Sequence, residues 1–176
     1  MNFRIFSAAV LLLAPAASLH AQIGGSAGIA VPLGSLAEHR GVGFRAQGSL
    51  YSSGGRFRGD VAGVFFPGDG SADTSPSQSG DWRSIGVAVN VLPRLTHTET
   101  LSVRALGGLS AHRTSIPGVR NPYGVVPGAQ LGAVVERSIG GGWLMAEVGA
   151  HLVATDHGVG ELEPVTFIPL SVGFRW

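Results

Sequence analysis

The sequence has no cysteine and no lysine, and only 13% of its 176 residues are charged. Without cysteine there is no disulfide framework, which suits an exported chain that needs none. If Arg4 belongs to a cleaved leader, eleven arginines remain against eleven carboxylates, so the basic excess of a nucleic-acid-binding surface is missing. After residue 21 no apolar run approaches the roughly 20 residues of a membrane-spanning helix, so membrane insertion would have to use strands.

Glycine is abundant instead, at 28 residues, and the mean hydropathy is positive at +0.29. Together with so few charges, this is unusual for a soluble protein and typical of a β-barrel that exposes an apolar outer face to lipid. The length suffices for one domain and is too short for two ordinary ones.

The N-terminal segment, residues 1–21, is predicted to be a cleavable secretory signal peptide. It has an early positive charge at Arg4, an apolar stretch from Ala8 to Ala17 and a small-residue ending at Ala21. The apolar stretch is too short for a permanent membrane anchor, which is the alternative interpretation. The mature barrel domain is therefore expected to cover residues 22–176.

Eight segments of the mature chain alternate between apolar and small or polar residues, which is the period of a β-strand. The predicted strands are 23–33, 41–51, 56–67, 81–92, 99–112, 123–137, 142–154 and 165–176. Each is long enough for a tilted membrane strand of about 9 to 11 residues. We therefore predict an all-β fold, an eight-stranded antiparallel up-and-down transmembrane β-barrel, whose even strand number closes the sheet without an exposed edge.

The connections between these segments alternate in length. Those after the second, fourth and sixth predicted strands are short, at 52–55, 93–98 and 138–141, whereas the others are generally longer. Short periplasmic turns and longer extracellular loops are typical of outer-membrane barrels. This asymmetry predicts that both chain termini lie on the periplasmic side.

The alternation also assigns each strand residue to one of two faces. The face interpreted as outward is apolar, for example at Phe44, Val89 and Leu131, and nearly every mid-strand charge falls on the other face. The predicted inward residues are Arg45, Gln47, Arg58, Asp60, Asn90, Arg104, Gln130, Glu136, Glu147, His151 and Arg175. A soluble sandwich would alternate in the same way but would carry more surface charge.

The inward charges predict a lumenal charge network, because charges inside a narrow eight-stranded barrel need partners. Its predicted members are Arg45, Arg58, Asp60, Arg104, Glu136, Glu147 and Arg175. Counting across the short turns places Gln47 opposite Asp60 and Gly132 opposite Glu147. Arg104 is the arginine expected to lose its partner if Glu147 is removed. A structural plug is the first interpretation of this network, and a gated proton or ion path is the second.

Aromatic residues cluster at both ends of the predicted strands, as expected at the two interfaces of a bilayer. The periplasmic belt is predicted to contain Tyr51, Phe57, Trp143, Phe174 and Trp176. The extracellular belt is predicted to contain Phe65, Phe66, Trp82, Tyr123 and Phe167. Parity turns Trp82, Trp143 and Phe167 inward, so these three fit a belt less well.

The last predicted strand ends on an aromatic residue and has apolar residues at every second position. Leu170, Val172, Phe174 and Trp176 share one face, and Arg175 lies on the other. This pattern resembles the C-terminal sorting signal of bacterial outer-membrane β-barrels, in which Phe is commoner than Trp at the final position. The resemblance implies that these four residues are recognised by the barrel-insertion machinery.

The whole mature chain resembles small eight-stranded bacterial outer-membrane β-barrel proteins of the outer-membrane-protein-A type, without a peptidoglycan-binding domain. The resemblance implies an outer-membrane location in a Gram-negative-type cell envelope, with membrane lipid and an extracellular ligand at the loops as partners. It also implies a non-enzymatic structural or surface-interaction role. A lipid-modifying barrel enzyme, a small-solute channel and an exported soluble barrel that binds an apolar ligand remain alternatives.

Candidate catalytic residues are few. Ser110, His112 and Ser115 fall near the outer rim of the fifth predicted strand, and His151 near that of the seventh. A nucleophile needs a base within hydrogen-bond reach and an acid behind it, but the inward acids lie lower in the barrel. No sequence motif for a metal, a phosphate, a nucleotide or a nucleic acid occurs. The sequence therefore predicts no catalytic residue, no metal site, no cofactor and no nucleic-acid partner.

Overall fold

The computed structural model of the protein describes residues 21–68, 80–115, 125–156 and 162–176. The elements of this part are β1 (Gln22–Leu33), α1 (Ser35–His39), β2 (Gly43–Tyr51), β3 (Phe57–Phe66), β4 (Trp82–Val91), β5 (Arg94–His97), β6 (Leu101–Ser115), β7 (Val126–Ile139), β8 (Gly142–Asp156) and β9 (Leu162–Arg175). In these ranges no helix is long and apolar enough to cross a membrane. The predicted signal peptide lies outside the described residues, apart from Ala21.

The strands form one closed antiparallel sheet. Neighbours along the chain pair with each other, and the first strand, β1, pairs with the last, β9. β4 and β5 pair with successive parts of β6, so they act as one interrupted strand and the barrel wall has eight strands. The predicted eight-stranded barrel is therefore confirmed. Apart from the short β5, which pairs with β6 alone, closure leaves the wall of the barrel without a free sheet edge, as a bilayer requires.

The two ends of the barrel differ. At one end lie Gln22, Arg175 and the short connections 52–56, 98–100 and 140–141, and we call it the turn end. At the other end the strands are joined through 34–42, 67–81, 116–125 and 157–161, of which the structure describes 34–42, 67–68, 80–81 and 125, and we call it the loop end. The difference in length between the two sets of connections agrees with the sequence-based prediction.

β5 lies within the segment 93–98, which the sequence predicts to be a short turn. Proline lacks a backbone N–H but keeps its carbonyl group. The Pro93 carbonyl accepts a hydrogen bond from the Ala105 backbone N–H at 3.0 Å, so pairing with β6 continues past the interruption. The turn itself is shorter than predicted, and the Thr98 N–H donates to the Leu101 carbonyl at 2.7 Å.

The five-residue helix α1 lies in the predicted connection between the first two strands. Gly34 precedes it with a φ of +57°, a conformation that glycine adopts at little cost. Leu36 is buried and belongs to an apolar cluster with residues of the loop-end strands. The helix therefore folds back over the loop end of the barrel instead of extending away from it.

The exterior of the barrel is apolar. The large exposed hydrophobic side chains on β1–β4 and β6–β9 all lie at positions of outward parity, and Phe44, Ile85 and Leu131 are each at least 64% exposed. Other members of this surface are Ile23, Ile29, Leu50, Val61, Val89, Leu109, Val148, Leu170 and Val172. Soluble proteins rarely expose so large a continuous apolar surface to water, whereas membrane barrels expose one to lipid.

The predicted aromatic belts need correction. Tyr51, Phe66, Trp82 and Phe167 are all buried inside the barrel, so none of them belongs to a membrane interface. Phe57, Phe65, Phe174 and Trp176 do lie on the outward face, Trp143 is half-buried, and Tyr123 lies outside the described residues. The four buried residues lie at strand ends, where a belt is expected, but their positions have inward parity, which places their side chains inside the barrel.

The predicted cross-strand pairs are wrong by two residues. Asp60 pairs with Ser49 instead of Gln47, and Glu147 pairs with Val134 instead of Gly132. The reason lies in the turns: Ile139 pairs with Gly142 around a two-residue turn in which Gly140 has a φ of +57°. Turn length sets the register of a hairpin, and a shift by two preserves the face of every residue.

Candidate functional site

The interior of the barrel is layered along its axis. From the loop end, the lumen contains an apolar and aromatic layer, then a polar middle, then a second apolar layer and finally a charged group near the turn end. The structure thereby separates the seven predicted members of the lumenal network into two groups. Arg45, Arg58, Asp60 and Glu147 lie in the polar middle, whereas Arg104, Glu136 and Arg175 lie near the turn end.

The polar middle contains a closed ring of six buried side chains, which we call the central ring: Arg45, Gln47, Ser49, Arg58, Asp60 and Glu147. Glu147 on β8 connects across the lumen to two arginines. Its Oε1 lies 3.3 Å from Arg45 Nη1, and its Oε2 lies 2.5 Å from Arg58 Nη1. Arg58 lies on β3, and its Nε donates to Oδ2 of Asp60 on the same strand at 2.9 Å.

The ring closes along β2. Ser49 Oγ donates to Asp60 Oδ1 at 2.7 Å, Gln47 Nε2 donates to Ser49 Oγ at 2.8 Å, and Arg45 Nη2 donates to Gln47 Oε1. The three side chains from β2 share one face because they are two residues apart. The ring holds two arginines and two carboxylates, so its formal charges cancel, which a buried cluster requires.

Two amides extend the central ring to further strands. Asn90 Nδ2 on β4 donates to Asp60 Oδ2 at 2.6 Å, and Gln130 Nε2 on β7 donates to Asn90 Oδ1. Ser171 on β9 also contacts the ring, since its Oγ accepts from Arg45 Nη1 at 3.4 Å. Polar side chains from β2, β3, β4, β7, β8 and β9 thus meet in one network across the lumen.

The second charged group, which we call the turn-end triad, consists of Arg104, Glu136 and Arg175. Glu136 Oε2 lies 2.9 Å from Arg104 Nε, and Glu136 Oε1 lies 3.2 Å from Arg175 Nη1. The predicted pairing of Arg104 with Glu147 is therefore wrong. Arg104 and Glu147 both pair with Val134, so register does not separate them; Arg104 instead contacts Glu136 near the turn end, whereas Glu147 contacts Arg45 and Arg58.

Tyr51 separates the two charged groups. Its ring lies between two guanidinium groups, with the Cζ of Arg58 at 5.9 Å and that of Arg175 at 5.0 Å from the ring centroid. Its hydroxyl lies 3.0 Å from Met145 Sδ, and it packs in an apolar layer with Leu92, Leu106, Val134 and Met145. Cation–π contacts of this kind stabilise a desolvated arginine. Tyr51 was predicted to belong to the periplasmic belt and not to the lumen. Its parity, the same as that of Arg45 and Gln47, indicates an inward side chain.

The loop-end layer is aromatic. Phe66, Trp82 and Phe167 contact one another with ring centroids between 5.5 and 6.3 Å apart, and His151 stacks on Phe167 at 5.1 Å. Leu36 of α1 belongs to the same cluster. The four aromatic rings are nearly completely buried between the central ring and the loop end.

The candidate catalytic residues do not assemble a triad. Ser110 and His112 do meet, with Oγ and Nε2 2.8 Å apart, but His112 Nδ1 faces the hydroxyl of Ser84 at 3.1 Å. The histidine thus contacts two serine hydroxyls, and the acid that would orient a base is replaced by Ser84. Ser115 has outward parity and is exposed, and His151 stacks on Phe167.

The four residues of the predicted sorting signal lie on β9 or directly after it. Leu170, Val172 and Trp176 are exposed on the outward face, and Phe174 is half-buried against Trp176, with ring centroids 5.3 Å apart. Trp176 exchanges backbone hydrogen bonds with Ile23 at 2.9 and 3.2 Å, so the C-terminus is part of the closing seam.

No protein-family model and no curated protein matches the chain. Solved structures do match. Neisserial surface protein A (NspA) has a TM-score of 0.61 and 16% sequence identity, with 88% of this chain and 95% of that one covered. Ail, the attachment invasion locus protein of Yersinia pestis, has a TM-score of 0.47 and 14% identity, covering 89% and 99%. A major outer membrane protein from Thermus thermophilus has a TM-score of 0.47 and 12% identity, covering 89% and 100%.

The likeness to NspA concerns the fold, which is that of the small eight-stranded outer-membrane β-barrels. The apolar exterior described above requires a bilayer around the barrel. Fold and exterior together place the protein in the outer membrane.

Proposed function

We propose that the protein is a non-enzymatic integral outer-membrane barrel whose lumen is plugged and whose interactions with the outside use its loops. The observation that carries this proposal is the central ring, in which Glu147 connects to Arg45 and Arg58 across the lumen. An eight-stranded barrel has an interior just wide enough to be filled by side chains. The ring and the apolar layers above and below it consist of buried side chains inside this barrel, which supports a plugged lumen.

Conductance across a planar lipid bilayer tests the plug. The refolded barrel is expected to give no steady conductance above that of the lipid alone, because three successive layers of side chains obstruct the lumen. A sixteen-stranded porin, which leaves an aqueous channel, is the positive control. Reproducible unitary currents from the purified barrel would show instead that the network is a path for ions.

We also propose that the turn end faces the periplasm and the loop end faces the outside. The support is the length of the connections, since outer-membrane barrels have short periplasmic turns and longer extracellular loops. An epitope inserted within residues 69–79 should be labelled on intact cells, and one inserted at Gly140 should not. The reverse pattern would contradict both the orientation and the surface role of the loops.

The third part of the proposal concerns the last strand as a sorting signal. Replacing Phe174 and Trp176 by serine should lower the amount of protein in the outer membrane and raise the amount degraded in the periplasm, without reducing export. Replacing the exposed outward residues Leu109 and Leu131 by serine is the matched control, because it removes apolar surface elsewhere on the wall. Quantitative immunoblots of membrane and periplasmic fractions measure both. Equal losses in the two variants would mean that the last strand has no special role.

A further inference from the structure

The turn end has a cavity in the outer side of the barrel wall, where β4 is interrupted before β5. Its volume is about 640 Å³, and the residues that line it include Arg56, Phe57, Val91, Pro93, Arg94 and Arg104. We call it the β3–β5 notch. It exists because β5 pairs with β6 alone, while β3 begins only at Phe57, so the wall on the other side of β5 is absent.

The polar lining of the notch is entirely cationic. Arg56 and Arg94 are exposed, and in the described part of the chain neither has an ion-pair partner. Arg104 lies behind them, only 3% exposed, and its Nη1 donates to the Gly55 carbonyl at 2.8 Å. Three guanidinium groups therefore converge on one cavity whose lining contains no carboxylate.

The turn-end triad behind the notch has an unbalanced charge. Arg104 and Arg175 share the single carboxylate of Glu136, which leaves one formal positive charge in excess. An ideal Cβ on Gly55 would lie 3.1 Å from both Arg104 Nη2 and Arg175 Nη1, so the two guanidinium groups lie together beneath this glycine. Buried charge in excess is costly, and an anion in the notch would compensate it.

The notch also has an apolar side that continues into the membrane-facing wall. Phe57 and Val91 are paired neighbours on β3 and β4, both point outward, and they are 56% and 49% exposed. A ligand that placed a negative group against the arginines would have apolar surface directly beside it. Arginine binds phosphate oxygens through paired N–H donors, and interfacial basic residues attract anionic lipids.

We propose that the β3–β5 notch binds the phosphate of an anionic phospholipid, with one acyl chain along Phe57 and Val91. The orientation proposed above would make this a lipid of the periplasmic leaflet. Inorganic phosphate shares the charged contacts but makes no use of the apolar side, so the lipid is the occupant that uses the whole surface.

Native mass spectrometry of the barrel released from nanodiscs of mixed phosphatidylcholine and phosphatidylglycerol tests this proposal. The double variant Arg56→Gln/Arg94→Gln should lose retained phosphatidylglycerol by about 10- to 30-fold, because it removes two of the three guanidinium groups that converge on the notch, each contributing about 1 kcal/mol to a phosphate held there. The matched control is Arg113→Gln/Arg137→Gln, which removes the same charge from two exposed arginines outside the notch. It should retain phosphatidylglycerol as the parent does.

Three outcomes would overturn the proposal. An equal loss in both double variants would show general charge attraction, displacement by inorganic phosphate would show a simple anion site, and unchanged retention in Arg56→Gln/Arg94→Gln would exclude the notch. The single variant Arg94→Gln, on exposed β5, gives the same test if the double variant does not refold. Both leaflets of the nanodisc have the same composition, and no current is measured. Failure here is therefore distinguishable from failure of the proposed orientation or plug.

Discussion

Replacing Glu147 by alanine is expected to lower the barrel's free energy of unfolding by about 3 to 5 kcal/mol. The substitution removes the one carboxylate that contacts both Arg45 and Arg58 across the lumen and leaves the central ring with an excess of positive charge. In the ring, Asp60 stays bound to Arg58, but Arg45 loses its only ion-pair partner among the described residues. Denaturant unfolding of the barrel refolded in lipid vesicles measures this change.

Two control variants show whether the loss belongs to the buried charge. Glu99→Ala removes a carboxylate from the exposed turn between β5 and β6 and should change stability by less than about 0.5 kcal/mol. Glu147→Gln keeps the size and the hydrogen-bond acceptor but not the charge, so it should fall between the parent and the alanine variant. A Glu147→Ala barrel as stable as the parent, together with a steep rise in conductance, would mean that the ring is a gate instead of a plug.

Replacing Val89 by arginine should destabilise the barrel by about 2 to 4 kcal/mol if the side chain lies near the middle of the bilayer. Val89 points outward from β4 and is 54% exposed, with apolar neighbours on the same face of the adjacent strands. A guanidinium there would lie in hydrocarbon without water or a counter-charge. The same unfolding titration in vesicles gives the difference in free energy.

Thr100→Arg is the matched control, because it introduces the same group in an exposed turn outside the apolar wall. Its cost should be close to zero, since the penalty falls off toward the interfaces. If Val89→Arg and Thr100→Arg cost the same, the exterior of the barrel does not face lipid. That result would favour the soluble apolar-ligand barrel over the membrane barrel.

The faces of the strands were predictable because side-chain direction depends only on position along a strand. Arg45, Arg58 and Glu147 were placed inward from parity alone, and all three are buried. The pairing of these residues was not predictable. A hairpin can shift by two residues without moving any side chain to the other face, so alternation carries no information about which acid meets which arginine.

The contacts of the aromatic residues were also not predictable from the sequence. Phe66, Trp82 and Phe167 were assigned to a membrane belt because they lie at strand ends, yet they pack together inside the loop end. Whether an aromatic residue at a strand end faces lipid or the lumen depends on parity. Whether three such residues meet depends on strands that are far apart in the chain.

By itself, the sequence determined the class of fold, the number of strands and the two faces of the wall, since these follow from the local period of two and from turn residues nearby in the chain. Only the tertiary structure decided that the charges form a balanced ring and a separate, unbalanced triad, and that the interruption before β5 opens a notch beside that triad. These features depend on the register between distant strands. Register is set by the closure of the whole barrel and by the lengths of its turns, and no short segment of sequence specifies it.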